Sequence, residues 1–141
     1  MKKYLYKSFI LVTLLILSSC IKDDEPNFQF VPLRIQSAEL PDSFQLNQTY
    51  QIDVTYSVPN GCTDFYRFDV TSSDTNTRNR NVVVFGTMRI DEELSCTQAI
   101  QEQKSTFNFR VDYTETYVFR FWQSEDADGN QQYLEIEVPV M

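Results

Sequence analysis

The chain has 141 residues, of which 12 are basic and 20 acidic, with no histidine, three cysteines and three glycines. Without histidine the Ser-His-Asp and Cys-His nucleophile sets cannot be built, and three scattered glycines cannot form a phosphate-cradling loop. A formal charge of −8 argues against nucleic acid or an anionic lipid surface as a partner, because both need a compact basic patch, whereas 11 Phe and eight Tyr supply enough apolar surface to order a core.

Lys2, Lys3 and Lys7 precede a nine-residue run, Phe9 to Leu17, that is apolar except for Thr13. A charged start followed by a short apolar stretch is the pattern of a secretory signal. A bilayer-spanning helix needs roughly 20 apolar residues, so this run is too short for a permanent span. Leu17, Ser18, Ser19 and Cys20 follow directly. This ending resembles the lipobox of bacterial lipoproteins, and the resemblance implies cleavage before Cys20 and a diacylglycerol on its thiol. Each buried methylene adds about 0.8 kcal/mol to membrane binding, so two or three acyl chains would hold the protein firmly. The plain alternative is an ordinary secretory leader with a chance cysteine.

Ile21 stands where the aspartate of inner-membrane retention would stand in the best-known lipoprotein sorting rule. Lys22, Asp23, Asp24 and Glu25 resemble the lysine-plus-acidic tract with which Bacteroidetes-type lipoproteins are exported to the cell surface. The expected address is therefore the outer membrane, surface-exposed by that resemblance and otherwise periplasm-facing. Read as physics alone, the tract is a charged, solvated tether that Pro26 stiffens. The chain thus divides into a signal peptide, 1–19, an acidic tether, 20–30, and one domain, 31–141. Removing 1–19 leaves 122 residues, the size of a single domain, with nine basic against 20 acidic groups and a net charge of −11.

A first strand is predicted near Leu33 to Leu40. From Tyr50 to Val58 apolar and polar residues alternate, the period-two pattern of a half-buried strand, and Pro59, Asn60 and Gly61 end it. Tyr66, Phe68 and Val70 alternate with Arg67 and Asp69, after which polar Ser72 to Asn79 reads as a loop or hairpin tip. Val82 to Met88 is a further strand, and Asp91 to Lys104 reads as loop then strand. Phe107, Phe109 and Val111 make the next strand, followed by Tyr117, Phe119 and Phe121 with Val118, Arg120 and Trp122 on the opposite face. Asp126 to Asn130 is turn chemistry, and Leu134 to Val140 closes the chain as an alternating strand. The expectation is all-β: an antiparallel sandwich of about seven strands. Cys62 and Cys96, an even pair in a small exported domain, predict a disulfide, which stabilises a loop of that length by about 4 kcal/mol.

The stretch from Phe107 to Val140 resembles the last three strands of immunoglobulin-like and fibronectin-like domains. In that resemblance Tyr117 is the corner tyrosine, whose hydroxyl bonds to the backbone just upstream, and Phe119 takes the position held by cysteine in antibody domains. Trp122 lies on a late strand instead of an early one, and Cys62 and Cys96 do not fit the usual inter-sheet staple. The same segment, an aromatic strand, an acidic turn and a Glu-Ile-Glu-Val strand, resembles the end of small Bacteroidetes lipoproteins, a likeness that implies no activity.

Candidate chemistry is sparse. Glu135 and Glu137 face one side of a strand and could serve as a carboxylate pair, though they read more simply as a solvated edge. Asp126, Asp128 and Asn130 around Gly129 resemble a calcium loop, but the glycine falls at the wrong place and the closing glutamate is missing, which favours a hairpin turn. Without histidine or a CxxC pair, no metal and no cofactor are expected. Trp122 with Arg120 is the candidate binding surface, since exposed aromatics stack on sugars and anchor protein interfaces; the alternative is that this face of the strand fills the core. The expected function is a lipid-anchored, non-catalytic binding or structural module for a protein or glycan. The alternatives are a carboxylate-dependent glycan hydrolase and an accessory subunit of an envelope complex.

Overall fold

A computed structural model describes residues 27–73, 76–90 and 95–141. The expected signal peptide, the lipobox-like stretch Leu17 to Cys20 and the tract Lys22 to Glu25 lie outside the described residues. Among the described residues there are eight strands: β1 (Phe28–Leu33), β2 (Ile35–Glu39), β3 (Thr49–Val58), β4 (Thr63–Ser73), β5 (Asn76–Arg89), β6 (Gln101–Arg110), β7 (Tyr117–Glu125) and β8 (Gln131–Val138). No described residue is helical.

β2, β3 and β6 form a three-stranded sheet, and β1, β4, β5, β7 and β8 a five-stranded one. Among the described strands every pairing is antiparallel except β5 with β7, which run parallel over Asn79 to Val82 against Val118 to Phe121; an isolated parallel bridge joins Phe44 to Val140. β4 takes one edge of β5 from Asn76 to Met88. The opposite edge is shared end to end, by β7 over residues 79–82 and by β1 over residues 84–89. The all-β sandwich expected from the alternation is the architecture formed, with this one parallel pairing added.

The extra strand is β1, which lies almost wholly before the predicted first strand, Leu33 to Leu40, and that prediction corresponds to β2. The chain pairs with β5 through Leu33, crosses at Arg34 and pairs with β3 from Ile35, thereby joining both sheets. The crossing is stabilised where the backbone N–H of Ser57 donates to the carbonyl of Arg34 at 2.9 Å.

β3 shows why these residues make strands. Ile52, Val54, Tyr56 and Val58 alternate with polar neighbours, and all four are buried. Opposite them lie Tyr117, Phe119 and Phe121 of β7 and Val82 and Val84 of β5. Burying each such side chain contributes about 1.5–3 kcal/mol. Phe44, in the β2–β3 connection, closes one end, its ring centroid 4.8 Å from that of Tyr50 and 5.7 Å from that of Phe109.

Three expectations need correction. Of the two readings of Ser72 to Asn79, the hairpin tip is the one formed, but strand extends further into it than expected, β4 to Ser73 and β5 from Asn76; polar residues suffice where both arms of a hairpin satisfy each other's backbone groups. Phe28 to Phe30, assigned to the tether, belong to β1 because their backbone pairs with Thr87 to Arg89. In β4 a bulge between Phe65 and Arg67 breaks the alternation. Phe65 packs on Phe68 at 5.3 Å, whereas Tyr66 turns to solvent. Between β5 and β6, residues 95–100 are irregular and β6 starts at Gln101, which is the loop-then-strand order; 91–94 lie outside the described residues.

Candidate functional site

Cys62 and Cys96 form the expected disulfide, with their Cα atoms 5.4 Å apart. It ties the start of β4 to the connection leading into β6. Beside it the N–H of Gly61 donates to the carbonyl of Thr97 at 3.0 Å. Asn60 Oδ1 accepts from the Cys62 N–H and the Thr63 hydroxyl, fixing the turn that presents the cysteine.

The corner tyrosine is present. The hydroxyl of Tyr117 accepts the backbone N–H groups of Asp112 at 3.0 Å and Tyr113 at 2.9 Å. The face of β7 carrying Tyr117, Phe119 and Phe121 is the buried one, so Val118, Arg120 and Trp122 lie on the outer face of the larger sheet.

Arg120 and Trp122 share that face but do different things. Arg120 Nε donates to Glu135 Oε1 at 2.8 Å, and its guanidinium lies 4.3 Å over the ring of Tyr133. Trp122, half-buried, donates its indole N–H to Gln131 Oε1. A bulge between Trp122 and Ser124 then releases β7 from strict register with β8. The indole sits where β7 ends against the β1–β2 crossing and lines a groove of about 340 Å³ with Pro32, Arg34, Gln36, Pro59 and Ile100. A lining of apolar residues with Arg34 and Gln36 among them suits a ligand with one apolar face and a polar edge.

The other candidates resolve locally. Glu135 and Glu137 are exposed on the sheet surface, Glu135 bonded to Arg120 and Glu137 opposite Val118. Asp126 caps the β7–β8 hairpin: its Oδ1 accepts the backbone N–H groups of Asp128 and Asn130, and Gly129 takes a φ of 84°. The bonds from Asn130 hold the Asp126 carboxyl below the usual carboxylate range.

A second surface carries no signal in the alternation of β7. On the outer face of β1, Phe28 and Phe30 stand exposed with ring centroids 5.6 Å apart, and Phe30 lies 4.8 Å from exposed Tyr66. The Arg67 guanidinium sits 5.8 Å over Tyr66 and 6.0 Å over Phe85. These four residues, Phe30, Tyr66, Arg67 and Phe85, line a recess of about 290 Å³. The local signal was the spacing of Phe28, Phe30 and Pro32, but only the pairing with β5 brings Tyr66 and Phe85 to it.

The fold and these surfaces define a small disulfide-linked β-sandwich of the corner-tyrosine type. Compared with models of known families, with curated proteins and with solved structures, the chain matches none.

Proposed function

We propose that the protein is a lipid-anchored cell-envelope lipoprotein whose sandwich is a non-catalytic binding module, held through Cys20 and taking a protein or glycan in the groove beside Trp122. The observation that carries this reading is the groove itself, lined by an indole, two prolines and exposed Ile100 together with a small set of polar groups. The exposed setting of Glu135 and Glu137 supports a binding role over hydrolysis, because acid-base work needs carboxyls converging in a cleft. The anchor rests on Leu17, Ser18, Ser19 and Cys20, and the outer-membrane address on Lys22 to Glu25.

Two measurements test it. Cys20→Ala should abolish acylation by intact mass and move the protein out of the membrane fraction; a variant that stays acylated and membrane-bound ends the anchor reading. On a glycan array and by cross-linking on intact cells, Ile100→Asp and Trp122→Ala should each weaken capture at least about tenfold, the loss expected when an apolar contact is removed. A glycan that the wild-type protein shortens and Glu135→Gln leaves intact would favour the hydrolase instead.

A further inference from the structure

We infer that the aromatic face of β1 and β4, Phe28, Phe30 and Tyr66 with Arg67, is a membrane-contact surface that lays the domain against the lipid to which Cys20 tethers it. This rests on the anchor proposed above. Exposed aromatic clusters mark interaction surfaces, and aromatic rings favour the boundary between headgroups and acyl chains. Phe28 and Phe30 are about half exposed, at 49% and 53%, as is Tyr66 at 52%, and their rings form one connected cluster.

Reach decides what covers it. Eight Cα-to-Cα steps separate Cys20 from Phe28, and a fully extended chain covers at most about 3.6 Å per step, so Phe28 stays within about 29 Å of the anchored residue. The anchor therefore keeps the start of β1 close enough to the bilayer for this face to reach it. Tethering makes the contact intramolecular, so a few rings suffice where a free domain would dissociate. Arg67, and Arg89 paired with Phe28, bring guanidinium groups to the patch, chemistry suited to lipid phosphates. Asp64 and Asp69 share the same face, so the rings set the contact and anionic lipid adds little.

The test uses the mature full chain. With Cys62 and Cys96 joined, Cys20 is its one thiol and couples to a maleimide lipid in phosphatidylcholine vesicles whether or not cells acylate it. A photoactivatable lipid should then label peptides of β1 and β4 in preference to β6. The Phe28→Ser, Phe30→Ser double variant should lower labelling of the Tyr66 peptide at least about tenfold, with thermal unfolding confirming the fold and Tyr66→Ser as an independent second variant. Even labelling across the sheets, or labelling untouched by these changes, overturns the inference. So does a dimer before vesicles are added that the same changes dissolve, which would make the face an interface between copies. Preferential labelling with no diacylglycerol on Cys20 in cells would sink the anchor and leave the lipid contact standing; acylation without preferential labelling would do the reverse.

Discussion

The guanidinium of Arg80 lies 5.0 Å over the ring of Tyr117, joining the middle of β5 to the corner of β7. The same guanidinium is 5.7 Å from the Phe109 ring and 5.8 Å from that of Tyr113, so one cation spans three aromatic faces. Because β5 and β7 pair in parallel at only four positions, this contact reinforces a short ladder. Arg80→Lys, which keeps the charge and loses the planar stack, should lower stability by about 1 kcal/mol in urea unfolding. An unchanged midpoint would show that the stack contributes nothing.

Removing one oxygen from Tyr117 should cost more. Tyr117→Phe leaves the N–H groups of Asp112 and Tyr113 without their acceptor at a fully buried ring. The expected loss is about 2 kcal/mol, with an unaltered far-ultraviolet spectrum. Amide exchange should accelerate first at residues 112 and 113, and its failure to do so would place the cost elsewhere.

Gly86 is fixed by crowding. A methyl group there would sit 2.9 Å from the carbonyl oxygen of Asp64 and 3.0 Å from Leu33 Cδ1, where β1, β4 and β5 meet. Gly86→Ala should therefore destabilise the domain by about 1–3 kcal/mol. Gly61 is less telling, because the Thr97 side chain that crowds it can rotate away.

The disulfide closes a separation of 34 residues. Replacing both cysteines with alanine should cost about 4 kcal/mol in chemical denaturation, through the greater freedom of the unfolded chain. A drop well under about 1 kcal/mol would mean that the surrounding hydrogen bonds already fix the turn.

Two carboxyls set the acid response. Hydrogen bonds from Asn130 hold Asp126 down, and Thr106 with Lys104 does the same for Asp53. Both titrate in the fold below the unfolded value of about 3.9, so their contribution is complete above that pH and is lost as pH falls through the folded values. Lys104 is shifted upward by hydrogen bonds to Glu39 and Asp53; its contribution is complete below about pH 10.4 and is lost as pH rises through the folded value. Carboxyl titration followed by NMR should show Asp126 and Asp53 losing charge at lower pH in the folded protein than in the urea-unfolded chain. Coincident midpoints would remove the prediction.

Much of the sandwich was legible along the chain because local alternation is a local property. Ile52, Val54, Tyr56 and Val58 declared their buried face, whereas β7 is apolar or aromatic on both faces and only its packing sets Tyr117, Phe119 and Phe121 inward. Pairing was not legible, since it depends on residues far apart. Nothing at Arg34 announces that the chain changes sheets there, and the ladder between Asn79 and Val118 has no sequence mark. The same limit hid the surfaces. Trp122 and Arg120 were identifiable, but the groove needs Ile100 and the β1–β2 crossing, and the aromatic patch needs Tyr66 turned outward by a bulge.

The bridge between Cys62 and Cys96 makes both arms of the β4–β5 hairpin part of one covalent ring. A single backbone scission inside that ring would divide the polypeptide without releasing a fragment. The nicked protein would migrate intact on a gel until a reductant parted it. Damage that would dismantle an open chain thus leaves the larger sheet with all its strands still attached.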